Sequence, residues 1–170
     1  MSAARIGIDV GAARVGVAVT DPGGVVVLPL TTLARDAAGD SDISQVADLV
    51  VERSAASVVV GLPLNLDGSD SASTQAARDW ATRLSRLIGA TPVRLVDERL
   101  TTVSAYRDLR DGGKNARQAR AYIDQQSAAL ILQVAVDTER TTGRPAGVRV
   151  GGRKPRQKKG RRPPGDVAKG

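Results

Sequence analysis

Three acidic positions stand out from their surroundings: Asp9 in RIGIDVG, the pair Asp97-Glu98 in VRLVDER, and Asp124 in AYIDQQSAA. Asp9 ends an apolar strand-like run, and a carboxylate in a central strand is costly unless it binds a cation or is hydrogen-bonded. It reads as a metal ligand at the centre of a sheet, or as a structural carboxylate of the turn at Gly11. Asp97 and Glu98 close another strand, at the edge where open α/β sheets place ligands. Side chains alternate along a strand, so only one of the two faces a given site; alternatively both are solvent-exposed caps of the next segment. Asp124 follows Lys114, Arg117 and Arg120 near the start of the last helix. Alone, it is an ordinary early-helix acid favoured by the helix dipole.

The missing residue types narrow the chemistry. The 170-residue chain has no Cys and no His. Disulfides, thiolate or imidazole zinc sites, a cysteine nucleophile and a Ser-His-Asp triad are therefore excluded. Carboxylates are hard oxygen ligands, so a metal here would be Mg²⁺ or Mn²⁺. The only aromatics are Trp80, Tyr106 and Tyr122, too few for a base-stacking platform. No apolar run approaches 18 residues and MSAARIGIDV has no signal-peptide pattern, so the expectation is a soluble cytoplasmic protein with no membrane partner.

The elements that must position these acids follow from pattern. Residues 5–10, 14–20 and 25–33 read as three strands joined by short Gly-containing turns, hence antiparallel neighbours. A helix is predicted over 42–54, a buried strand over 57–63, a loop over 65–70 with Asp67-Gly68 turn chemistry, and a helix over 71–88 ended by Gly89. A strand over 93–97, a helix over 102–111 capped by Thr101, and a last helix over 118–140 complete the set. The order implies an α/β fold with a mixed sheet: an antiparallel meander, then two parallel crossover strands. The helix carrying Trp80 reads either as core or as an interface with a second copy of the chain.

Charge divides the chain at 143/144. Residues 1–143 hold 15 Lys and Arg against 17 Asp and Glu, whereas 144–170 hold ten Lys and Arg and one acid, Asp166. With four Pro and six Gly, this last stretch is expected to be a disordered basic tail. It reads as a polycation for nucleic acid or as a solubilising extension. Arg14, Arg99, Lys114, Arg117 and Arg120 are candidate phosphate contacts, or solvated surface charges.

Taken together, GIDVGAARVGVAV, GLPLNLDG, DERLTT and YIDQQSAA occur in the order and spacing of a known family. From about residue 4 to 140 the chain resembles the YqgF/RuvX family of the ribonuclease H-like nuclease and resolvase superfamily. The resemblance implies a ribonuclease H-like domain over 1–143 with a five-stranded sheet flanked by helices. It implies that Asp9, Glu98 and Asp124 match the family's catalytic, metal-binding carboxylates, and that Gly61, Pro63, Asn65 and Gly68 shape a loop beside them. Some resolvase relatives carry a fourth acid one helical turn after the last; here that position is Ser127, so this looks like a three-carboxylate version.

The implied activity is metal-dependent phosphodiester cleavage, which carboxylate-bound Mg²⁺ supports without histidine. The implied substrates are the 5′ end of precursor 16S ribosomal RNA, or a four-way Holliday junction in DNA cut by a homodimer. A nucleic-acid-binding protein without cleavage is the alternative from another class. An actin- or sugar-kinase-type ATPase also uses an Asp-x-Gly strand, but it needs two such domains, and about 143 residues are too few.

Overall fold

A computed structural model describes residues 3–100 and 117–151. The helix expected at 102–111, Lys114, and residues 152–170 of the expected tail lie outside the described residues.

The chain forms β1 (Arg5–Val10), β2 (Arg14–Thr20), β3 (Val27–Ala34), α1 (Ser41–Glu52), β4 (Ser57–Leu62), α2 (Ala72–Ile88) and β5 (Val93–Asp97). A 3₁₀ turn (Glu98–Leu100) follows, then α3 (Arg117–Thr142) and β6 (Val148–Arg149). The sheet order is β3-β2-β1-β4-β5-β6. β1, β2 and β3 are antiparallel, and β4 and β5 run parallel to β1, as the connection lengths require. The third strand starts at Val27 rather than 25, because the Asp21 carboxylate accepts from the amides of Val25 and Val26 and extends the turn. Ser71 starts α2 through a reciprocal cap with Thr74, which satisfies orphan amides of the first turn.

The sheet has six strands among the described residues rather than five. The sixth comes from the segment expected to be tail. Arg94 Nε donates to the Ala146 carbonyl at 2.7 Å, and the Val150 amide donates to Val93 O at 2.8 Å. Ala146 is buried, and Val150 packs against the main core. Val150 and Ala146 supply the apolar contact, and backbone pairing with β5 does the rest, so eight residues whose average composition looks unfoldable are docked.

Strand alternation gives the two faces of the sheet different characters. One face presents Ile6, Ile8, Val10, Val15, Val17, Val58 and Val60 to α1 and α2, with Trp80, Leu84 and Val46 fully or almost fully buried. Trp80 is therefore core, and its indole N–H donates to the buried Asp42 carboxylate at 3.0 Å. The other face is built of small residues. A Cβ on Gly7 would lie 2.6 Å from Leu132 Cβ, and one on Gly16 would overlap the Asp124 carbonyl. Glycine weakens a strand unless another backbone must come close; here α3 does. Its Ala128, Ile131, Leu132, Ala135 and Val136 pack on Ala18, Val59 and Val96. At about 1.5–3 kcal/mol for each large apolar side chain buried, this seam holds α3 in place. The Thr32 hydroxyl donates to Ala121 O at 2.7 Å, fixing the helix one turn before Asp124.

Candidate active site

Residues sharing a face of β1 and β2 are read from the register. Asp9 pairs with Gly16 and Gly7 with Ala18, so Asp9 projects from the small-residue face, beneath α3. Gly16 is covered by the Asp124 backbone. On the other side of β1, Ile8 pairs with Val60 of β4, which sets Gly61 beside Asp9. A Cβ on Gly61 would overlap Glu98 Oε1 and lie 2.5 Å from Ile131 Cδ1. Glu98 thus folds back from the end of β5 over β4. The three carboxylates are 1%, 5% and 1% exposed respectively. Asp9 on β1, Glu98 over Gly61 of β4 and the Asp124 backbone over Gly16 of β2 lie over three neighbouring strands at one end of one sheet face.

The flanking residues hold this row. Arg14 Nε donates to Asp124 Oδ2 at 2.7 Å, with the arginine 26% exposed. The turn between Asp9 and Arg14 is tied down by Arg35, whose side chain donates to Gly11 O at 3.1 Å and whose amide donates to Ala13 O at 2.9 Å. Arg35 in turn lies 3.6 Å from buried Asp42. Arg120 is half-buried one turn before Asp124, on the same side of α3.

Asp97 points to the opposite face from Glu98, as alternation requires. It accepts from Arg99 Nε and Nη2 at 3.0 and 2.7 Å and from the Arg99 amide at 2.9 Å. The side-chain bonds from Arg99, with the backbone bond and charge of the same residue, hold the Asp97 carboxyl below the usual carboxylate range against partial burial. Asp97 in turn pushes the guanidinium up. Arg99 also reaches the loop between β4 and α2, donating to Leu66 O and resting against Gly68, which takes φ +85°. In that loop Asn65 donates to Ser69 Oγ, and the Pro63 carbonyl accepts from Thr74. Of the loop positions singled out in the sequence, Gly61 lies under Glu98, whereas Pro63, Asn65 and Gly68 shape the turn beyond it. The Arg117 backbone begins α3, and Lys114 is outside the described residues.

Two glycines that matter were not singled out from sequence. Gly7 and Gly16 are the floor on which α3 brings Asp124 down, and their signal was a glycine in the middle of each of two apolar strands. The Arg14–Asp124 pair had no sequence signal.

The donor set is buried and all oxygen, which suits a hard divalent cation. Among the described residues no three Asp, Glu, His or Cys side chains are grouped to hold one ion. Asp124 is engaged by Arg14. A Cβ at Gly61 would occupy the place that Glu98 takes. By their chemistry, buried oxygen donors of this kind fit a hard divalent cation.

A protein of Frankia casuarinae named "Putative pre-16S rRNA nuclease" is 48% identical over 141 residues, 83% of this chain and 70% of its own. One of the same name from Leifsonia xyli subsp. xyli is 48% identical over 147 residues, covering 86% and 93%. The structure of "T. thermophilus RuvC in complex with Holliday junction substrate" shares the fold at TM-score 0.51 and 14% identity, over 83% of this chain and 97% of that one. The family described as "RuvX: Holliday junction resolvase" matches residues 3–138, a span that contains all three carboxylates and the glycines beneath them, and the chain belongs to that family.

Proposed function

We propose that this chain is a divalent-metal-dependent nuclease acting on structured nucleic acid, and that its substrate is the 5′ region of precursor 16S ribosomal RNA. The observation that carries this is the row Asp9, Glu98 and Asp124, buried on one sheet face in a chain without imidazole or thiol. These three carboxylates would hold Mg²⁺ or Mn²⁺. Such ions supply a water that is nucleophilic near neutral pH and neutralise charge on the leaving oxygen. The protein's own contribution is position and field. The glycine floor and α3 fix the carboxylates, and Arg35 fixes the turn after Asp9. Lys114, Arg117 and Arg120, clustered in the sequence before Asp124, would offer cations to the flanking phosphates, whereas Arg14 is paired with the buried Asp124. Arg99 is the weaker candidate, since its fork is bound to Asp97. Among the described residues no helix is long and apolar enough to cross a membrane, and a ribosomal RNA substrate places the protein in the cytoplasm.

A second reading is favoured by the family's description: cleavage of a four-way DNA junction. One chain carries one carboxylate row, and a junction is cut at two symmetry-related phosphates, so this reading requires a homodimer. Trimming a ribosomal leader requires only a monomer. The test incubates the full chain with Mg²⁺ or Mn²⁺ and three substrates: a precursor ribosomal RNA fragment with its 5′ leader, a four-way junction and a plain duplex. Metal-dependent loss of the leader, absent in Asp9→Asn, is the expected result. Paired symmetric nicks in the junction with an intact leader would favour the second reading. No cleavage of any substrate would overturn both.

A further inference from the structure

Asp42 is fully buried in the first turn of α1, on the apolar face of the sheet that α1 and α2 cover. One of its oxygens, Oδ2, accepts from the Trp80 indole at 3.0 Å and lies 3.6 Å from Arg35 Nε. The other, Oδ1, has no hydrogen-bond partner among the described residues. A buried acid held in this way adds little stability, because the cost of desolvating it offsets the attraction. Its partner shows what it provides instead. Arg35 directly follows β3, and its side chain is only 15% exposed. Its Nη1 donates to Gly11 O at 3.1 Å and its amide donates to Ala13 O at 2.9 Å. Gly11 in turn donates to Arg14 O at 2.8 Å. Nε and Nη1 belong to one rigid plane, so an acid that holds Nε also aims Nη1.

We propose that Asp42 is a positioning residue for the candidate active site, acting from the opposite face of the sheet: it aims Arg35 at Gly11 O, and the turn so held sets the directions of Asp9 and Arg14. The inference rests on the reading that the chain is a nuclease whose cleavage uses Asp9. Asp9 lies two residues before Gly11, and Arg14, three residues after it, donates to Asp124. One turn thus governs two of the acids, Asp9 through the chain and Asp124 through its ion pair. A misplacement of about 1 Å at reacting groups costs on the order of 100-fold in rate. Loss of aim at Arg35 is therefore felt in the chemical step, while the surfaces that bind nucleic acid are left as they were.

The test compares wild type, Asp42→Asn, Arg35→Gln, the double variant and Val46→Ala, each in the full chain. Asp42→Asn keeps the volume and an oxygen for the Trp80 N–H but removes the charge facing Arg35. Val46→Ala is the control for simple damage, since it opens a cavity one turn further along the same helix. Two quantities are measured: the single-turnover rate and affinity on whichever substrate the wild type cleaves, and amide hydrogen exchange without substrate or metal. Asp42→Asn is expected to slow the chemical step about tenfold with affinity within about threefold. It should also speed exchange at Gly11 and Arg35 about tenfold while Val58 and Val60 of β4 keep their wild-type rates. The double variant should be no slower than the slower single one, because both break one chain of contacts. Val46→Ala should melt at a lower temperature with both quantities unchanged. A rate for Asp42→Asn within about twofold of wild type would overturn the proposal. So would fully multiplicative losses in the double variant, equal acceleration of exchange in β4, or an equal loss of rate in Val46→Ala. Failure of the wild type to cleave any substrate would instead overturn the nuclease reading, and the inference with it.

Discussion

Gly61 lies directly beneath the Glu98 carboxylate, in the space a β-carbon would fill. Ile131 closes the same space from α3. The Gly61→Ala variant must therefore displace Glu98, Ile131 or both. We expect cleavage to fall more than tenfold, with a stability loss of about 1–3 kcal/mol from overpacking. Single-turnover rates and denaturant melts measure the two separately. A fully active Gly61→Ala would show that the position of Glu98 is not required.

Asp9→Asn, Glu98→Gln and Asp124→Asn are each expected to abolish metal-dependent cleavage while circular dichroism stays native. Asp97→Asn should retain most activity, because its carboxylate faces Arg99 on the other side of β5. Full activity in any of the first three would remove that residue from the mechanism.

Arg14→Gln should destabilise the metal-free protein by about 1–2 kcal/mol, since it removes a charge-assisted hydrogen bond from a partly exposed arginine to the buried Asp124 carboxylate. Saturating Mn²⁺ should restore part of this loss, as any ligand of the folded state does. Melting curves with and without Mn²⁺ check it. Equal destabilisation at both conditions would mean that the cation does not compensate the Asp124 charge.

The Asp97–Arg99 pair predicts a small pH effect of definite sign. Asp97 has its carboxyl lowered in the folded state. Its contribution is therefore fully present above the unfolded value near 3.9 and is lost as pH falls through the folded one. The pair is partly exposed, so wild type should exceed Asp97→Asn by less than about 1 kcal/mol at pH 7. The gap should close below about pH 4. A gap that widens on acidification would contradict this.

Where the chain is cut should separate stability from nucleic-acid affinity. Removing 144–170 strips β6 from β5 and takes away the acceptors of Arg94, so the melting temperature should fall. Removing only 152–170 spares them and deletes eight of the 25 Lys and Arg. If roughly four of these contact phosphates, the slope of log affinity against log salt should flatten by about 3–4 units, equally for unrelated sequences. The single-turnover rate at saturation should stay unchanged. An unchanged slope would show that these cations do not engage nucleic acid.

The strands were legible because they follow from local pattern: β1, β2 and β4 are short apolar runs rich in valine and isoleucine, and a chain without His or Cys has little besides carboxylates to offer a metal. Alternation alone placed Asp97 and Glu98 on opposite faces. Relationships between distant residues were not legible. β6 was hidden because its composition is that of a tail, and only Arg94 and the Val93 carbonyl, some fifty residues earlier, reveal that it docks. The partner of Arg14 was equally out of reach, since nothing near position 14 points to position 124.

That separation bears on when the protein acquires its chemistry. Arg14 and its partner are 110 positions apart, and Asp9 lies further still from Asp124. A chain emerges from its N-terminus at about 5–20 residues per second, so the meander of β1 to β3 and even the Glu98 strand are available seconds before α3. Until that helix closes over Gly7 and Gly16, the growing chain holds an unfinished row of acids with no third member. On the proposal that these three carboxylates carry the cleavage, a chain that ends before α3 cannot cut, and competence comes only once nearly all of it has been synthesised.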